Sequence, residues 1–127
     1  MVQFQSLLAP ELRSFVTHDP AESLRKVKVP VLAMNGARDL QVPPQQNLPA
    51  IAAALAAGGN PDFTIVELPG LNHLFQDAKT GAISEYAEIE ETISPIALDR
   101  MSNWILKQSG VPAGGAVHRA GASSAAI

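Results

Sequence analysis

Two short apolar runs constrain this chain more than any other feature. Val29 to Met34 reads VPVLAM, and Phe63 to Leu68 reads FTIVEL. The first is continuously apolar and ends at the turn signal Asn35-Gly36, the pattern of a strand buried on both faces in a parallel sheet. Pro30 then belongs near the start of the run, where a missing N–H is tolerated. The second is rich in β-branched residues and closes at Pro69-Gly70. Between them Pro43-Pro44 opens a helix with Leu48, Ile51, Ala52 and Leu55 along one stripe, and Gly58-Gly59-Asn60-Pro61 stops it. Strand, helix, strand in that order argues for an α/β class with parallel strands.

The flanking segments add helices. Phe4, Leu7, Leu8, Leu12, Phe15 and Val16 recur at roughly helical spacing, interrupted by Pro10. In Asp19-Pro20-Ala21-Glu22 the Asp suits an N-cap, the Pro the first helical position and the Glu a capping box. That predicts a short helix through about Lys26. Residues 71–93 are mixed, with a break at Gly81. Ser94-Pro95 caps a last helix whose apolar face is Ala97, Leu98, Met101, Trp104 and Ile105. From Ser109 to Ile127 the chain is mostly Ala, Gly and Ser without periodicity, and reads as a flexible tail. The expected organisation is a helical segment over 1–18, an α/β portion over 19–108 and the tail over 109–127. Two strands make a poor sheet, because both outer edges lack partners. The sheet is therefore expected to be completed by a further segment or by a second copy of the chain.

Composition excludes several functions. With 127 residues the chain fits one domain, and a net charge of -3 with no basic run argues against nucleic acid. The absence of cysteine excludes disulfides, thiol nucleophiles and thiolate metal sites. Met1-Val2-Gln3-Phe4-Gln5 lacks the basic and apolar regions of a secretion signal. No apolar run approaches the roughly 20 residues of a membrane helix. A cytoplasmic location is the expectation, with no membrane contact and no cofactor.

The chemistry lies just after the two strands. Asp39 stands in Asn35-Gly36-Ala37-Arg38-Asp39-Leu40-Gln41-Val42-Pro43, and His73 in Leu68-Pro69-Gly70-Leu71-Asn72-His73-Leu74-Phe75. Loops after the C-terminal ends of parallel strands line the active crevice of α/β sheets. A carboxylate that accepts from one imidazole nitrogen fixes the tautomer and leaves the other nitrogen to act as a base. VPVLAMNGARDLQVP resembles the strand and acid loop of α/β-hydrolases, where G-x-x-D-x-x-V-P carries the acid of the catalytic triad. LPGLNHLF resembles their histidine loop, and acid before histidine is that family's chain order. The last helix with Trp104 resembles the family's closing helix. The resemblance spans about residues 20–107 and is nearest the serine-aminopeptidase-like and esterase group; residues 4–18 resemble the segment that leads from a lid to the core. It implies that Asp39 is the triad acid and His73 the general base, acting on ester or peptide bonds.

One part of the pattern is missing. The family's nucleophile lies in G-x-S-x-G upstream of the acid, and no such motif occurs here. Ser6, Ser14 and Ser23 precede Asp39 without flanking glycines. The oxyanion-hole loop is missing too. The chain alone is thus expected to be inactive, with a small acyl or peptide substrate only if a nucleophile comes from elsewhere. The alternative is a non-catalytic protein that self-associates through its strand edges. A receiver-like signalling domain is a weaker reading, since it needs a paired acidic cluster at an earlier strand end.

Plainer roles stand beside each of these. Asp39 could cap the helix near Pro43 or stabilise its loop, and His73 could be an ordinary loop residue. Arg38 reads as solvated, and Leu40 and Val42 as an acyl pocket or as core. His18 beside Asp19 lacks further ligands at metal-binding spacing, and His118 lies in the tail. Glu85, Glu88, Glu90 and Glu91 around Tyr86 read as a solvated helix face, and Trp104 as core.

Overall fold

The computed structural model describes Ser14 and residues 17–110. The helix expected over 4–17 and the tail beyond Gly110, with His118, lie almost wholly outside the described residues. The elements are α1 (Pro20–Leu24), β1 (Val31–Gly36), α2 (Pro44–Ala57), β2 (Phe63–Leu68), a 3₁₀ turn (Ile83–Ala87) and α3 (Pro95–Ser109). Strands β1 and β2 pair in parallel, as strand–helix–strand connectivity requires.

Each helix starts where local chemistry permits. Asp19 caps α1, its Oδ1 accepting from the Ala21 N–H at 3.0 Å. Pro44 and Pro95 open α2 and α3 at positions where a missing N–H costs nothing. Gly110, in the left-handed conformation at φ 71°, ends α3, so Ser109, where the tail was expected to begin, belongs to the helix.

The sheet has helices on both faces. On one face α2 packs against both strands and α1 packs against α2. Pro44, Leu48, Ala54 and Leu55 are the buried residues of α2. On the other face Ala97 of α3 joins Leu68 and Leu71, with Met34, Val66, Phe75 and Ile93 packed around them. Among the described residues the sheet has only these two strands.

The strands end level with one another. Register runs from Val31 opposite Phe63 to Gly36 opposite Leu68. The expected turn at Asn35-Gly36 is therefore the end of β1 itself. Asn35 does not break the strand because its buried side chain is hydrogen-bonded. Gly36 does not break it because the next loop lies against it. A Cβ at position 36 would meet Leu71 O at 2.2 Å and Asn72 O at 2.5 Å. The Ala37 N–H donates to Leu68 O and the Arg38 N–H to Leu71 O, both at 2.9 Å, which continues the strand pairing into the loops.

Residues 83–93 depart from the expected solvated helix face. The segment forms one 3₁₀ turn, and two of its carboxylates serve as acceptors. Glu85 accepts from the Thr80 and Gly81 N–H groups, and Glu91 from the Asp77 N–H. Glu88 and Glu90 are exposed. Trp104 is half-buried at the edge of an apolar groove instead of lying within the core.

Gly36→Ala places a methyl group on backbone that has no room to yield cheaply. The expected loss of stability is about 1–3 kcal/mol, the usual cost of overpacking. Thermal or urea denaturation of both chains measures it, and an unchanged midpoint would contradict the close approach of the two loops.

Candidate active site

Because the strands end together, their following loops meet. Asp39 lies three residues past Gly36 and His73 five past Leu68. His73 Nδ1 and Asp39 Oδ2 are 2.9 Å apart. The Asp39 side chain is 4% exposed, that of His73 37%.

Asp39 has a donor for every lone pair it can use. Oδ1 accepts from the Gln41 N–H at 3.0 Å and the Val42 N–H at 2.8 Å. Oδ2 accepts from Asn35 Nδ2 at 3.0 Å and from His73. Burial raises the carboxyl's pKa, but the hydrogen bonds from Val42, His73 and Gln41 and the nearby imidazole outweigh it, leaving the group below its ordinary 3.8. Of the two plainer roles for Asp39, loop stabilisation is present. Helix capping is not, because Pro43 holds the N-cap position of α2.

An ionised carboxylate can only accept, so His73 Nδ1 carries the proton. In the neutral ring that leaves a lone pair on Nε2, which has no hydrogen-bond partner among the described residues. The ring thus has one nitrogen anchored and the other free to take up a proton. Nε2 is the position from which a base can act.

Asn72 shapes the loop that carries His73. It is fully buried, its Oδ1 accepting from the Leu74 and Gln76 N–H groups and its Nδ2 donating to Gln76 Oε1 at 3.0 Å. Gln76 in turn donates to Glu91 O. Phe75 takes a φ of 57°, which a bulky residue seldom adopts. Its N–H donates to Asn72 O and its carbonyl accepts from the Ser94 N–H at 2.7 Å, so both neighbours hold it there. Asn35, Asn47, Asn72 and Gln76 are the supporting residues that motif reading passed over. The available signal was Asn35 within one apolar strand motif and Asn72 just after the other.

Arg38 is not merely solvated: its guanidinium donates to the Ala78 carbonyl. Gly81, at φ 83°, lies so close to Arg38 O that a Cβ there would fall 1.9 Å away. These contacts join the acid loop to residues 78–81. Leu40 is 64% exposed, while Val42 lines a depression of about 280 Å³ with Met34, Asn35, Asp39, Asn47, His73 and Phe75. A larger apolar groove of about 400 Å³ adjoins it, sharing Met34 and Phe75 and adding Leu32, Met101, Trp104 and Ile105. Trp104 Nε1 is buried there with no hydrogen-bond partner.

The remaining candidates do not converge on this place. Ser23 Oγ lies 3.3 Å from His18 Nε2 on the α1 side. Among the described residues no three His, Asp or Glu side chains are placed to hold a metal ion. No helix among them is long and apolar enough to cross a membrane. The donors around Asp39 are amides and an imidazole, not the second acid that a receiver-like pocket requires.

A parallel strand pair with helices on both faces, and with Asp39 and His73 on the loops at one end, is consistent with part of an α/β-hydrolase fold. The comparisons with known proteins agree. A model of the prolyl oligopeptidase family, one of the α/β-hydrolase families, matches residues 3–92, well over half of the chain. The chain belongs to that family. No curated protein and no solved structure matches it.

The lowered pKa of Asp39 has a sign that can be checked. Its ionised form stabilises the fold above the ordinary carboxyl value of 3.8, and that contribution is lost as pH falls through the lower folded value. The stability difference between the unaltered chain and Asp39→Asn should hold steady near pH 5 and shrink between about pH 4 and pH 2. Denaturation midpoints across that range measure it; a constant difference would contradict the ionised, fully bonded carboxylate.

Proposed function

We propose that the chain is the C-terminal acid–base portion of a serine hydrolase that cleaves ester or peptide bonds. Asp39 is the triad acid and His73 the general base. The observation that carries this reading is the 2.9 Å bond from His73 Nδ1 to a fully bonded Asp39, with Nε2 left free. Nε2 would accept the proton of an attacking hydroxyl and return it to the leaving group. Membership of a hydrolase family supports the same roles.

The chain contains no G-x-S-x-G motif, so the hydroxyl is supplied from outside these residues. Without it the histidine has no nucleophile to activate, and covalent acyl transfer does not occur. Removing the nucleophile of a serine hydrolase costs on the order of a millionfold in turnover. The purified 127-residue chain should therefore show no hydrolysis of p-nitrophenyl esters above a buffer blank. Turnover that Asp39→Ala and His73→Ala both abolish would show that the chain carries its own nucleophile.

A second reading rests on the outer edges of the two-stranded sheet, which have no partner strand among the described residues, and on the adjoining apolar groove. In it the chain associates with a second copy through these edges and has no catalytic role. Size-exclusion chromatography with light scattering tests it: a folded dimer or larger supports self-association, and a folded monomer at high concentration removes it.

A further inference from the structure

Two asparagines adjoin the Asp39–His73 pair and line the same depression. Asn35 is the fifth residue of β1 and is 4% exposed. Its Nδ2 donates to Asp39 Oδ2 at 3.0 Å and to Val42 O at 2.9 Å. Its Oδ1 accepts from Asn47 Nδ2 at 2.6 Å, and Asn47 lies in the first turns of α2. We propose that Asn35 and Asn47 are positioning residues for the acid–base pair, setting which carboxylate oxygen faces the imidazole and in what orientation. This rests on the acid–base reading above.

The geometry supports a directing role over a filling one. Oδ1 of Asp39 is committed to the N–H groups of its own loop. That alone does not determine where Oδ2 points. Asn35 adds a second donor from a strand, so a rotation that takes Oδ2 away from His73 also breaks the Asn35 bond. The Asn35 amide has one sensible orientation. Its NH2 faces two acceptors, Asp39 Oδ2 and Val42 O, and its oxygen faces a donor. Reversed, it would set oxygen against oxygen twice. Asn47 therefore locks the amide, the amide locks the carboxylate, and the carboxylate selects the Nδ1–H tautomer of His73. An aliphatic residue would fill the same buried place in β1 without the cost of desolvating an amide. The order also has a mechanical sense. A group carried on a loop is held by groups carried on a strand and a helix, which are the stiffer supports.

The test reads the His73 ring directly and needs no catalysis. Long-range ¹H–¹⁵N correlation spectra of the full chain at neutral pH give the ratio of Nδ1–H to Nε2–H tautomers. Asn35→Leu should lower that ratio about tenfold, the size set by losing one hydrogen bond to a carboxylate. Asn47→Ala should lower it in the same direction by less. Circular dichroism confirms that each variant is folded. An unchanged ratio in folded Asn35→Leu overturns the proposal. If that variant does not fold, Asn47→Ala decides, since its site is only half-buried, and an unchanged ratio there overturns it equally. Asp39→Asn is the control: it must remove the Nδ1–H preference. If it does not, the acid–base reading fails as well; if it does while the asparagine variants stay silent, only the positioning role fails.

Discussion

The backbone of Leu71 and Asn72 crosses directly over Gly36, and the placement of the acid and the histidine depends on that crossing. The strands end in register, and two further backbone hydrogen bonds continue the pairing past their ends. Any side chain at position 36 would occupy the space of a carbonyl oxygen. Asp39 and His73, far apart in sequence, are thereby only a few residues from one shared closure. No flexible reach is needed to bring them together.

The polar network then resolves a conflict of solvation. A carboxylate as buried as Asp39 is costly unless its oxygens are all occupied. Four donors occupy them, two from its own loop, one from β1 and one from His73. The same holds for Asn72, whose buried amide satisfies the tight loop on which His73 rides. Polar groups here act as fixed struts, and apolar residues alone could not specify the angle between imidazole and carboxylate.

The apolar surface is less evenly served. On the α2 face the helix covers the sheet and buries Leu48, Ala54 and Leu55. On the α3 face only Ala97 of the helix is buried, and Leu98 and Ile105 remain exposed. The groove beside Trp104 runs into the depression at His73 through Met34 and Phe75. This asymmetry agrees with membership of a family whose fold needs more than two strands, and it leaves Asp39 and His73 beside an open apolar groove.

Much of this was legible in the sequence because it is local. The apolar runs, the helix starts at Asp19, Pro44 and Pro95, and the order of acid and histidine are written in short stretches of chain. Some readings failed because their signals depend on distant partners. Asn35-Gly36 carries the composition of a turn, yet it ends a strand because another loop rests on the glycine and a helix satisfies the asparagine. Arg38 and Glu91 look like solvated charges, yet each bonds backbone that only folding brings near. By itself the sequence determined the class of fold and the two residues that could form an acid–base pair. The tertiary structure decided that they touch, which nitrogen stays free and what holds the carboxylate, because these depend on strand register and on contacts between residues remote in the chain.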